Sequence, residues 1–276
     1  MRMVLVTILT PLVALGLLAV VIAFTPSRWL LGLIVGLMVG VFARSIKHVK
    51  TANESVRPLS DREDPELFGI LDRLCALADM PRPSVILSDE AQPNTWVVDF
   101  PGRPPRLYIT RGLRNMLTLE ELQAVLGHEL AHIANRDARV TSVVEWPSAV
   151  MLRVNAGAGI DAIFVGAIGL LSHLGVTILS RYRELAADAG SAAIIGRPSA
   201  LASALLKVSD SLGQIPAKDL RAAAALNAFN LVAIPPRSRL VRRVRLLARI
   251  TATHPPLQTR LDALYELERC QQARRV

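Results

Sequence analysis

The stretch Thr118–Asp137, TLEELQAVLGHELAHIANRD, decides how the rest of the chain is read. Thr118 followed three residues later by Glu121 has the spacing of a capping box, in which each side chain satisfies the other residue's backbone N–H at a helix start. Leu119, Leu122, Val125, Leu126, Leu130 and Ile133 then recur with helical period and predict one apolar face. On that helix His128 and His132 are four residues apart, so both imidazoles project to the same side. Two nitrogens so placed can bind one tetrahedral zinc ion. Glu129 follows the first histidine directly, where its carboxylate can reach a water on the metal and act as general base. The bland alternative is a chance HExxH match on a surface helix. The capped, periodic helix around it weighs against that reading.

HExxH supplies two protein ligands, and a zinc site needs a third from elsewhere. Within Arg181–Asp188 (RYRELAAD), Glu184 and Asp188 are again four apart and share a helix face. Glu184 is the candidate third ligand, and Asp188 the candidate acid that hydrogen-bonds a ligand histidine. The competing reading makes them two solvated acids paired with Arg181 and Arg183. The unfilled ligand position favours the metal reading.

Composition argues for a membrane. The chain has 276 residues, 51% of them hydrophobic and only 4% aromatic, too apolar for an ordinary soluble domain unless the excess sits in spans. Met3–Phe24 is apolar apart from Thr7, Thr10 and Pro11, and is long enough to cross the hydrocarbon, which takes about 20 residues. A short link, Thr25–Arg28, leads to a second apolar run, Trp29–Phe42, followed by Arg44, Lys47, Lys50 and Arg57. The positive-inside rule then puts both the N-terminus and the chain beyond residue 44 in the cytoplasm. The rival reading makes the first run a cleaved signal peptide, but the second run follows too closely. Val140–Ser180 is a third apolar region, with Arg136 and Arg139 before it and Arg181 and Arg183 after it. Asn155–Gly159 reads as its turn, which predicts a helical hairpin at about 141–180. Its second arm, Ala162–Leu179, is long enough to span. The first arm is short and carries Glu145 and Arg153, and a buried hairpin in a soluble core is the alternative. His173, in the second arm, reads as a packing residue rather than a ligand.

The formal charge of +9 fits basic flanks at a membrane, and no basic stripe with interleaved aromatics points to nucleic acid. Cys75 and Cys270 stand in no CxxC pattern and give no disulfide framework. The remainder reads as a domain in pieces. Pro65–Ala78 has helical spacing at Leu67, Ile70, Leu71, Leu74 and Leu77, ended by Pro81 and Pro83. Ser84–Leu87, Thr95–Phe100 and Arg106–Thr110 are β-prone runs that predict a small sheet. Beyond residue 197 the chain is again helical, broken near Pro216 and at Pro235-Pro236.

GHELAHIANRD (127–137), the apolar hairpin and RYRELAADAGSA (181–192) together resemble the HtpX-type membrane zinc metalloproteases, to which the CAAX prenyl proteases are related. The resemblance extends to Gln92–Trp96 and to Thr253–Pro256 with Arg260, and covers roughly residues 1 to 265 in order of elements. It implies an α+β fold, mainly helical and integral to the membrane. A pair of helices at 1–50 would precede a gluzincin-like zinc protease domain at 51–276, which contains the small sheet and is interrupted by the hairpin. The implied site is one zinc ion per chain on His128, His132 and Glu184, with Glu129 as acid and base and Asp188 holding a ligand histidine. Asn94 matches the residue leading into the substrate-side edge strand, to which an extended peptide could add. His254 is the candidate donor to the oxyanion, with capping of a Pro-Pro turn as its alternative. Thr95-Trp96-Val97-Val98 is bulkier than that pattern usually carries. The basic stretch Arg237–Arg249 is read either as a contact to anionic headgroups or as a solvated face.

The implied activity is endopeptidase cleavage of membrane or misfolded proteins at the cytoplasmic face of the cell membrane. The partners are then a peptide or membrane-protein substrate and the lipid bilayer, with no nucleic acid. A non-catalytic scaffold retaining the metal is the second hypothesis. A protease site inside the bilayer is the third, and Glu120, Glu121, Gln123, Asn135 and Arg136 make the HExxH helix too polar for it.

Overall fold

The computed structural model describes residues 57–99, 103–137, 160–214, 231 and 254–275, with 160–173 given by backbone alone. The expected N-terminal pair (1–50), the first hairpin arm with its turn, and the basic stretch 237–249 lie outside the described residues. The chain divides into two compact units, residues 1–57 with 140–179 and residues 58–139 with 180–276. The elements described next belong to the second unit, apart from residues 160–179.

Helix α1 (Pro65–Leu77) starts where Asp64 accepts a hydrogen bond from the Leu67 N–H at 3.0 Å and Pro65 fills the first turn. Arg114 fixes this start from outside, donating to Asp64 at 2.8 and 3.1 Å and to Glu66 at 2.8 Å. Leu67, Phe68, Leu71, Leu74 and Cys75 are buried. Leu77, expected on the same face, is 62% exposed because it falls in the last turn, beyond the core.

Three strands follow, β1 (Ser84–Ser88), β2 (Thr95–Val98) and β3 (Arg106–Thr110). They form one sheet in the order β1-β3-β2, with β3 central, parallel to β1 and antiparallel to β2. All three expected runs form strands, though β2 stops at Val98 and Phe100 lies outside the described residues. The bulky residues of β2 have local reasons. Trp96 stacks on its cross-strand partner Tyr108, ring centroids 4.9 Å apart, and Thr95 donates to the Tyr108 carbonyl at 2.8 Å. Thr110 ends β3 and also caps the short helix α2 (Arg111–Met116) by accepting from the Leu113 N–H.

Helix α3 (Leu119–Ala134) begins with the expected capping box. Thr118 N–H donates to Glu121 at 2.9 Å, and Glu121 N–H to the Thr118 hydroxyl at 3.4 Å. The expectation of a single apolar face is corrected in two ways. Leu119 is 45% exposed, at the first position of the helix. From Glu121 to Ala131 every residue except Gln123 is buried, polar ones included. HExxH therefore sits on an interior helix. Around it pack α1, the sheet, helix α5 (Pro198–Gln214) and helix α6 (Leu257–Arg275), in one core that includes Leu71, Leu107, Leu126, Leu205 and Leu264. Helix α4 (Ile160–Ile195) runs unbroken for 36 residues, so the expected second hairpin arm and the RYRELAAD segment are one continuous helix. Among the described residues no helix is long and apolar enough to cross a membrane, and most of that arm is described by backbone alone.

Glu121 also joins α3 to α5, accepting from Ser203 and Lys207 at 2.7 Å each. Burial pushes its carboxyl up, but the hydrogen bonds from Lys207, Ser203 and Thr118 outweigh that and bring its pKa down to about 2 from an ordinary 4.5. A depressed carboxyl stabilises the fold above pH 4.5, and the contribution fades as pH falls towards 2. Glu121→Gln is expected to cost about 1 kcal/mol at pH 7, discounted because Lys207 is partly exposed. Denaturant midpoints of variant and wild type should converge as pH approaches 2; an equal gap at pH 7 and pH 3 would contradict this account.

Candidate metal centre

The site lies between α3 and the last third of α4, and small residues bring the two helices close. A Cβ built on Gly190 would stand 2.8 Å from Ala131 Cβ, and one on Gly127 would stand 2.8 Å from Ile195 Cδ1 and 3.1 Å from Ser191 Oγ. Ser191 donates to the Ala124 carbonyl at 2.7 Å across the same crossing. The approach is too tight for any larger residue at 190 without backbone movement.

At that separation the three sequence-predicted ligands converge. His128 Nε2 lies 3.1 Å from His132 Nε2 and 3.8 Å from Glu184 Oε2, and His132 Nε2 lies 3.6 Å from Glu184 Oε1. The candidate ligand atoms of the three residues all fall within 4.8 Å of one another. Ligands about 2.0–2.1 Å from a tetrahedral zinc sit roughly 3.3 Å apart, so the gap fits one such ion. Two imidazoles with one carboxylate are also a donor set that suits zinc.

Behind these three side chains lies a layer of buried charge. His128 Nδ1 stands 2.9 Å from Asp188 Oδ1. Arg260 grips Asp188 with two hydrogen bonds, at 2.8 and 2.6 Å, and donates a third to the Leu231 carbonyl at 2.7 Å. His132 Nδ1 hydrogen-bonds Asp137 at 2.6 Å, and Arg183 Nε lies 2.7 Å from the other oxygen of Asp137. His254 is buried in the same place, Nδ1 3.4 Å from Glu184 Oε2. Asn94 is buried too. Its side-chain oxygen accepts from the Leu231 N–H at 3.2 Å, while its backbone is bonded to Thr110. Its carboxamide oxygen thus holds the chain at residue 231, and Asn94 fixes the start of β2.

The electrostatics follow from burial set against neighbours. Glu129 is buried, and loss of solvation raises its carboxyl above the ordinary range against the pull of His128 and His132. Burial would raise Glu184 as well, yet His254, Arg260 and His132 together hold it well below that range. Asp188 is likewise held down, Arg260 and His128 outweighing its desolvation. His132 is raised, since the bond to Asp137 and the charges of Glu184 and Glu129 exceed the effect of burial.

Sequence spacing brought out His128, Glu129, His132, Glu184 and Asp188, and it passed over Asp137 and Arg183 as participants. A signal was present: Asp137 ends the HExxH stretch, and Arg136 before it, at φ 55°, turns the chain back. The link to Arg183 joins positions 46 residues apart and has no local signature.

Such a donor set beside a buried glutamate has the composition a hydrolytic metal site requires. The family model of peptidase family M48 matches residues 61–268. The chain is 37% identical over 270 residues to Protease HtpX homolog 1 of Streptomyces coelicolor, covering 90% of this chain and 86% of that protein. It is 35% identical over 263 residues to the Protease HtpX homolog of Moorella thermoacetica, covering 87% and 85%. The crystal structure of S. mikatae Ste24p aligns with a TM-score of 0.53 at 18% identity, over 94% of this chain and 65% of the other, a likeness of fold. The chain belongs to peptidase family M48, and it is a metallopeptidase.

Two outcomes follow. Gly190→Ala should destabilise the protein by about 1–3 kcal/mol through overpacking and weaken its hold on metal, read by thermal unfolding and metal analysis. Metal must displace any proton on His132, so apparent zinc affinity should fall by about tenfold per pH unit and proton displaced as pH drops below the raised His132 pKa. A pH-independent affinity between pH 5 and 8 would contradict this.

Proposed function

We propose that the protein is a membrane-anchored zinc endopeptidase that hydrolyses peptide bonds of membrane or misfolded proteins at the cytoplasmic face. The observation that carries the reading is the convergence of His128, His132 and Glu184, from two distant helices, on a gap of ion size. Zinc held there would supply Lewis acidity to polarise the scissile carbonyl and acidify a water.

The rest is the work of this chain's own side chains. Glu129, next to the ligand His128 and raised by burial, takes the proton of the attacking water and returns it to the leaving amine. Asp188, braced by Arg260, keeps the proton of His128 on Nδ1, which leaves Nε2 free to coordinate. His254, buried beside Glu184, is the proposed donor to the oxyanion. Among the described residues β2 is an edge strand, so an extended substrate can add along it through backbone hydrogen bonds, with Asn94 anchoring its start. The apolar runs at 3–24, 29–42 and 162–179, with their basic flanks, support the membrane anchor and its orientation.

Glu129→Gln should keep stoichiometric zinc and lose roughly 100-fold or more in proteolysis of an unfolded substrate. His128→Ala should lose the zinc itself. Full activity in Glu129→Gln, or undiminished zinc in His128→Ala, would end this reading.

A further inference from the structure

We infer that Asp137, held by Arg183, is a positioning residue for His132, so that both metal-binding histidines are aimed by a carboxylate that is itself held by an arginine. The inference rests on the metallopeptidase reading above and deepens it. At His128 the sequence of contacts is imidazole, Asp188, Arg260. At His132 it is imidazole, Asp137, Arg183, with contacts of 2.6 and 2.7 Å. A carboxylate on Nδ1 fixes the tautomer, directs the Nε2 lone pair to the ion and makes the ring a better donor. His132 needs that restraint more, its side chain being 15% exposed against 2% for His128.

Three features mark the arrangement as built for this. Helix α3 ends at Ala134, and the chain reverses through Arg136, whose φ of 55° is an unfavourable conformation for a residue with a Cβ. The reversal carries Asp137 back onto the last turn of its own helix. Next, the Asp137–Arg183 pair is buried, with side chains 4% and 10% exposed. Burying such a pair yields little net stability, so stability alone does not account for it. Last, Arg183 immediately precedes Glu184. One turn of α4 therefore supplies a metal ligand directly and, through Asp137, steadies another ligand on α3.

The test uses the full-length protein in detergent, stripped of metal and titrated with Zn2+ against a chromophoric chelator, and separately loaded with Co2+ for its visible spectrum. Asp137→Asn keeps the shape and removes the charge. It is expected to weaken zinc binding by about 10-fold or more, to shift the cobalt absorption bands, and to lower kcat with KM little changed. Its metal-free unfolding temperature should fall, because Arg183 is left buried without its charge partner, and the zinc titration is read below that transition. Arg183→Ala should weaken zinc binding in the same sense, and Arg183→Lys should restore most of the loss. Wild-type zinc affinity and an unchanged cobalt spectrum in Asp137→Asn would overturn the inference, as would failure of that variant to fold, which would make Asp137 a structural clamp. His128→Ala is the separate control: if it keeps stoichiometric zinc, the metallopeptidase reading falls irrespective of Asp137.

Discussion

The crossing of α3 and α4 at Gly127 and Gly190 sets the one distance on which the site depends. HExxH places two imidazoles on α3 by periodicity alone, but the third donor is on another helix, 52 positions beyond His132. Glu184 comes within 3.6–3.8 Å of the imidazole nitrogens because the backbones approach with nothing larger than hydrogen at residue 190. The Ser191 hydroxyl on the Ala124 carbonyl adds a polar contact at the same level, and the flanking apolar core keeps α3 from shifting along its axis. A centre assembled from two helices inherits its geometry from their packing, which protein interiors hold to fractions of an ångström.

Charge is arranged in layers around that crossing. Three donors face inward, two aspartates stand behind the histidines, and two arginines stand behind the aspartates. Burying so many ionisable groups would be costly if any were unpaired, and here each lies against an opposite charge. Glu129 stands apart from this pattern. Its carboxyl is raised by burial while Glu184 and Asp188, equally enclosed, are held low by the cations beside them. Acids enclosed in the same layer are thereby pushed in opposite directions, one up and two down.

What the sequence made legible followed from short periods. The capping box at Thr118 and Glu121, the paired histidines, the paired acids at Glu184 and Asp188, and the three short strands all depend on neighbours within a few residues. What it hid was non-local or depended on the direction of burial. Nothing in Leu119 or Leu77 says that they face solvent, since that depends on where the core ends. The interior position of α3 was masked by the polar residues it buries, among them Glu121 and His128, which meet Lys207 and Asp188 from far along the chain. Arg183 reads naturally as a flank to an apolar run, and only its placement beside Asp137 gives it another role.

At residue 231, Asn94 binds the amide hydrogen and Arg260 the carbonyl oxygen of the same residue. Strand entry and metal-site brace therefore meet on a single amino acid's main chain, through atoms that every amino acid except proline provides. Leu231 is also buried in the core, and proline in its place would remove the donor to Asn94 and detach one side from the other.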